Sequence, residues 1–190
     1  MHLAYRQYFL FLWIAWLIYW WIAAARAKAT VRRESIASRS AHIVPLAFAV
    51  LLLVPARLPL LGLDTGLLPR TATVFWVGAA LTVAGLLYTV WARVHLKGNW
   101  SGTVTIKADH ELVVSGPYAI SRHPIYTGLL AAFLGSAIAD GEVRGVLAFV
   151  IAFAALWRKL RMEERWLTEH FGAAYADYKR RVAALVPKIL

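Results

Sequence analysis

Two stretches hold most of the side chains able to do chemistry. The first is GPYAISRHPIYTG, from Gly116 to Gly128. Gly116-Pro117 marks a turn. Arg122, His123 and Pro124 then stand directly before a long apolar run. Proline suits the first position of a helix, where its missing N–H has no partner to lose. A helix starting at Pro124 presents free N–H groups and partial positive charge beside Arg122 and His123, a setting that favours an anion. Tyr118 and Tyr126 flank the same point. The plainer alternative is that Arg122 and His123 anchor the helix at a membrane surface. The second stretch is RKLRMEER, from Arg158 to Arg165. On a helix Lys159 and Glu163 lie one turn apart, as do Arg161 and Arg165. Left at a surface, such pairs contribute a few tenths of a kcal/mol each. They become part of a site if the chain folds back and brings Glu163 to His123.

A third stretch, His110-Glu111-Leu112-Val113-Val114, reads as a short extended piece before the Gly116 turn. Extended backbone can hydrogen-bond a flat heterocycle, and it can equally be a packing segment. The sequence has no G-x-G-x-x-G, no P-loop, no H-E-x-x-H and no nucleophile–base pair. Six scattered histidines and no cysteine give no metal site and no thiol chemistry.

The elements that position these residues are apolar. Of 190 residues 61% are hydrophobic, above the roughly half expected of a soluble domain, and the excess sits in blocks. The fold expected is an all-α integral membrane protein with about five transmembrane helices. The blocks are Tyr8–Ala25, Ala41–Leu61 (kinked by Pro45 and Pro55), Ala72–Ala92, Pro124 to about Ala139, and about Gly145 to Trp157. The first would span about 27 Å, close to a hydrocarbon core. It is too long and too rich in tryptophan for a signal peptide. The last two would form a tight hairpin through Asp140-Gly141-Glu142, which delivers Glu163 to the interface where Pro124 starts.

Charge orients the chain. With the C-terminus inside, segments 26–40, 93–123 and 158–190 carry 17 of the 21 Lys and Arg residues. That bias puts the N-terminus out and the C-terminus in. The net charge of +11 therefore points to anionic lipid headgroups rather than nucleic acid. In the tail, Leu167, Phe171, Tyr175, Tyr178 and Val182 recur at helical spacing, which predicts an amphipathic helix with Gly172 as its weak point. The residues alone support a polar pocket at the inner leaflet, capped by that tail and open sideways to lipid.

The string HELVVSGPYAISRHPIYTG, followed by Glu163-Glu164 and then F-G-x-x-Y-x-x-Y, resembles the isoprenylcysteine carboxyl methyltransferase family. Phospholipid N-methyltransferases share the R-H-P-x-Y-x-G and E-E elements. The resemblance covers roughly Ala92 to Val182. It implies an integral membrane enzyme using S-adenosylmethionine, with S-adenosylhomocysteine as product. By resemblance, His110, Leu112, Val113, Tyr118, His123, Tyr126, Glu163 and Glu164 would hold the cofactor, with Arg122 and Pro124 setting the turn. Lys159 stands where the family has an arginine that holds the acceptor carboxylate. It keeps the charge and loses the planar fork, and Arg158 or Arg161 would compensate.

The expected reaction is methyl transfer to a lipidic or lipid-linked acceptor, carboxyl O-methylation ahead of phospholipid N-methylation. An NADPH-dependent sterol-type reductase and a non-enzymatic lipid-binding scaffold are the other classes. The expected organisation is one membrane domain, with spans one and two in residues 1–71 and a methyltransferase-like core in 72–190. The site would face the cytoplasm, from the plasma membrane of a prokaryote or the endoplasmic reticulum of a eukaryote.

Overall fold

The computed structural model describes residues 2–25, 30–54, 62–100, 104–107 and 111–187. It is mostly helical. In chain order come α1 (His2–Ala24), β1 (Thr30–Arg33), α2 (Ile36–Leu53), α3 (Ala72–Leu96), β2 (Thr105–Lys107), α4 (Pro124–Asp140), α5 (Val143–Phe171) and α6 (Ala173–Arg181). Three stretches, Gln7–Ala24, Ile36–Leu53 and Ala72–Asn99, are long and apolar enough to cross a membrane, and Pro124–Asp140 is a shorter apolar helix. The protein is an integral membrane protein.

Local chemistry sets the helix limits. Ser35 caps α2 by accepting from the Ser38 N–H at 3.2 Å, so α2 begins five residues before the expected Ala41 and continues through Pro45. Pro55 and Arg57 lie outside the described residues. Thr71 caps α3 in the same way, accepting from Val74 N–H. α4 begins at Pro124, as expected of a proline at the first helical position. It ends at Gly141, whose φ of 68° closes the helix in the left-handed region. Glu142 then opens α5. Arg144 ties this hairpin to its surroundings through Asp140, Glu142 and the Val54 carbonyl.

α5 differs from expectation. It runs unbroken for 29 residues, so the apolar span and the charged segment share one rigid rod. The tail breaks at Gly172, with φ 53°, and α6 continues from there with Tyr175 and Tyr178 buried.

α3 and α4 pack antiparallel along a seam of small residues. A Cβ added to Gly78 would lie 2.5 Å from the Gly135 carbonyl, and one added to Gly85 would lie 2.5 Å from that of Gly128. Backbones this close give dense packing without a hydrophobic force, which is how helices associate in lipid. Thr82 and Ser136 hydrogen-bond the Ala132 carbonyl within the seam. α1 lies against this pair through side chains. Trp13 donates to Ser136 at 3.2 Å, and Trp16 donates to Thr89 at 2.7 Å.

The all-α expectation needs one correction. β1 and β2 form a two-stranded antiparallel ribbon, pairing Arg32 with Ile106 and Arg33 with Thr105. Glu34 extends it, its backbone N–H donating to the Val104 carbonyl and its carboxylate accepting from the Val104 N–H at 3.0 Å. The pairing joins segments about seventy residues apart, and backbone hydrogen bonds rather than an alternating apolar pattern hold it. Hydropathy is therefore blind to it.

Candidate active site

The hairpin brings the two chemical stretches together. Tyr126, one turn into α4, donates its hydroxyl to Glu163 of α5 at 2.6 Å. His123, at the start of α4, stacks flat on Tyr126 with ring centroids 5.4 Å apart and planes 5° apart. Its Nδ1 lies 3.6 Å from Glu163 and its Nε2 lies 3.5 Å from Glu164. Lys159, one turn before Glu163, places its ammonium 3.9 Å from that carboxylate and 5.3 Å from the centre of the Tyr126 ring. Lys159, His123 and Tyr126 are all buried.

Neighbouring Glu164 faces the other way. It accepts from Arg122 Nε at 2.7 Å and pairs with Lys179 at 3.0 Å. Arg122 also donates to the carbonyls of Lys179 and Val182. The chain after α6 then lies along the start of α4. The N–H groups of Arg122 and His123 donate to the carbonyls of Ala183 and Ala184 at 2.9 and 3.0 Å. Thr127 donates to Leu185, and Tyr178 donates to the Tyr118 carbonyl at 2.5 Å. So the His-Pro turn is held from three sides, by α5, by α6 and by the tail that follows it.

Burial and charge set the protonation states. Burial alone would push Glu163 up, but His123, Lys159 and the Tyr126 hydroxyl outweigh it and hold its carboxyl below the usual range. Glu164 is pushed down to about 2 against its own burial, by His123, Lys179 and Arg122. Burial works against a proton on His123, yet the two carboxylates raise it. Both acids are thus ionised and the imidazole between them favours its charged form. Burial pushes the Tyr118 phenol up, so it stays neutral.

These groups open on a cavity of about 290 Å³. Tyr118, Arg122, His123, Pro124, Tyr126, Lys159 and Glu163 are among the residues that line it. The sequence reading did not place others that line it, among them Trp16, Trp20, Leu46, Asn99, Trp100 and Thr105. The Asn99-Trp100 pair, polar and aromatic at the end of an apolar span, was the available signal.

Other expected residues lie elsewhere. Arg158 is exposed and donates to the Ser38 carbonyl of α2 at 3.1 Å. Arg161 and Arg165 are exposed too, and of the basic residues from Arg158 to Arg165 Lys159 alone is among the cavity-lining residues. Leu112 and Val113 are half-buried, outside the lining, in a stretch without regular structure. His110 lies outside the described residues.

A polar, heterocyclic cofactor fits this lining. Buried Asn99 Oδ1 and Thr105 Oγ1 have no hydrogen-bond partner among the described residues, and both residues border the cavity. Buried polar atoms are normally satisfied, so a ligand is their natural partner. Among the described residues no group of three or more histidine, aspartate or glutamate side chains is arranged to hold a metal.

The model of the phospholipid methyltransferase family matches residues 73–174. Protein-S-isoprenylcysteine O-methyltransferase of Saccharomyces cerevisiae is 34% identical over 120 residues, 60% of this chain and 48% of that protein. Methanethiol S-methyltransferase 2 of Bradyrhizobium diazoefficiens is 42% identical over 73 residues, 38% of this chain and 27% of that one. Among solved structures, a eukaryotic intramembrane Ras methyltransferase, isoprenylcysteine carboxyl methyltransferase, shares the fold with a TM-score of 0.58. Its identity is 22%, over 84% of this chain and 55% of that one. The chain spans about half the length of the yeast relative and of that structure.

Proposed function

Because this chain belongs to the phospholipid methyltransferase family, we propose that it is a membrane enzyme transferring a methyl group from S-adenosylmethionine to a lipidic or lipid-linked acceptor. The observation that carries the reading is the convergence of His123, Tyr126, Lys159 and Glu163 on one cavity whose remaining lining is mostly apolar. Residues 72–190 form the methyltransferase core in this reading and residues 1–71 its N-terminal spans. Five spans place the N-terminus outside, and the site faces the cytoplasm.

S-Adenosylmethionine supplies an electrophilic methyl on a positively charged sulfur. Glu163 holds a polar part of it, oriented by the Tyr126 hydroxyl and by His123. Asn99, Thr105 and Tyr118 supply further polar contacts. Arg122, Glu164 and Pro124 act at one remove, by fixing the turn that carries His123. Lys159 orients the acceptor. A carboxylate acceptor is already ionised near neutral pH and needs a cation and removal of water rather than a base. Lys159, buried over the Tyr126 ring and lining the cavity, meets that need, which puts O-methylation ahead of N-methylation. Holding donor and acceptor in line supplies much of the acceleration.

The test is calorimetric binding of S-adenosylhomocysteine to the detergent-solubilised protein, paired with transfer of tritiated methyl to lipid extracts and prenylcysteine analogues. Glu163→Gln and His123→Ala should each weaken binding at least tenfold. Lys159→Met should spare binding and suppress transfer, and Lys159→Arg should retain it. Failure of the parent protein to bind S-adenosylhomocysteine would end the reading.

A further inference from the structure

Two elements that line the cavity are joined by a strand that does not line it. Val104 and Thr105, at the start of β2, border the cavity, and so do Trp166 and Leu167 of α5. β1 and Glu34, which follows it, supply no lining residue. We infer that Glu34 and Arg32 are positioning residues of the donor pocket: Glu34 fixes the register of the ribbon, Arg32 moors it to α5, and together they hold the Thr105 hydroxyl where the donor meets it. The inference rests on the methyltransferase reading. Both residues precede residue 73, where the family match begins.

A ribbon of four residues against three does not hold its own place. Side chains alternate along a strand, so a slip of one residue would turn Thr105 to the other face. The pairing is already irregular between Thr30 and Arg32. Glu34 pins it. Its N–H donates to the Val104 carbonyl at 3.1 Å, and its carboxylate accepts from the Val104 N–H at 3.0 Å. One residue thus takes both backbone groups of the residue before Thr105. His42 Nε2 of α2 stands 3.4 Å from the same carboxylate oxygen, and both side chains are buried, so the carboxylate has no room to swing away. A carboxylate buried this deeply stabilises less than a well-packed apolar side chain would. What it adds here is register.

Arg32 acts on the ribbon from its exposed side. Its guanidinium lies 4.1 Å over the Trp166 ring and donates to Glu169 at 2.9 Å, and both partners belong to α5. The ribbon is therefore fastened to a residue that itself borders the cavity. The group this arrangement presents is the Thr105 hydroxyl, whose oxygen is buried and has no hydrogen-bond partner among the described residues. Hydrogen bonds weaken steeply with distance and angle, so the hydroxyl serves a ligand only while the ribbon keeps its register.

The test is a double-mutant cycle read in S-adenosylhomocysteine affinity, by calorimetry on the detergent-solubilised full chain well below its melting point. Thr105→Val should weaken binding about tenfold, and Glu34→Leu about as much. Glu34→Gln, whose amide oxygen still accepts from Val104, should recover most of the loss. In the Glu34→Leu background, Thr105→Val should cost nothing more, because the hydroxyl has already lost its place. A residue that merely stabilised the fold would leave the two losses additive. Arg32→Ala, at an exposed position, should weaken binding about threefold with the thermal midpoint within about 2 °C of the parent. The role of Glu34 is overturned if Glu34→Leu or Thr105→Val binds like the parent, if Glu34→Gln fails to rescue, or if the losses add. The role of Arg32 is overturned if Arg32→Ala binds like the parent. If S-adenosylhomocysteine fails to bind the parent, the methyltransferase reading has failed first.

Discussion

Replacing Glu164 with glutamine tests whether charge or packing holds the His-Pro turn. The Glu164 side chain is 6% exposed, and it is reached by Arg122 at 2.7 Å, Lys179 at 3.0 Å and His123 at 3.5 Å. Its carboxyl is lowered from 4.5 to about 2, because these cations outweigh the cost of burial. A shift of that size corresponds to about 3 kcal/mol. Removing one partner of a buried pair costs a similar roughly 3–5 kcal/mol. A depressed carboxyl stabilises the fold fully above its unfolded value of 4.5, and the contribution is lost as pH falls toward about 2.

Glu164→Gln should therefore lower the thermal midpoint in detergent by roughly 6–12 °C at pH 7, taking about 2–4 °C per kcal/mol for a chain of this size. The gap between parent and variant should close as pH drops from 4.5 toward 2. Circular dichroism melts at several pH values read both. A variant within 2 °C of the parent at pH 7 would refute the reasoning. So would a gap that stays constant down to pH 3, which would mean that shape rather than charge was lost.

Three further outcomes follow from the same structure. His123 is raised above its usual value of 6.5 by its two carboxylates, so its stabilisation is complete below that pH and fades as pH rises through the raised value. The parent should melt lower at pH 9 than at pH 6, and His123→Asn should flatten that difference. Gly85→Ala should destabilise by about 1–3 kcal/mol in the same melts, since its Cβ would strike the Gly128 carbonyl. Gly66→Ala, with nothing within 4 Å, should be neutral. His42 and Glu34 form a buried pair 3.4 Å apart, each side chain 1% exposed. Glu34→Leu should cost about 1–3 kcal/mol in the same melts, since it orphans the buried Val104 N–H that the carboxylate accepts from, and adding His42→Leu should not recover that loss.

The start of α4 was legible because proline, a basic pair and the onset of an apolar run coincide at one residue. The α4–α5 hairpin was legible because Asp140-Gly141-Glu142 is a turn between two apolar runs. Those two readings suffice to predict that Glu163 meets His123. The continuity of α5 was hidden by the change from apolar to charged residues at Arg158, which alters the surroundings of a helix without ending it. The ribbon and the tail along Arg122 and His123 were hidden because backbone groups make them, and every residue type has those. Trp16 and Trp20 were not singled out, since hydropathy does not say which side of a span turns inward. The glycines at 78, 85, 128 and 135 repeat at intervals of seven, a spacing open to view whose meaning lies in the partner helix.

Main chain touching main chain leaves α3 and α4 no lateral play: neither can tilt aside without tearing contacts that no side chain could rebuild. α1, by contrast, is fastened to this pair by indole N–H groups and aromatic edges. The fold thus sets two kinds of joint side by side, a welded pair of helices that keeps the start of α4 in place and a third helix held to it through side chains.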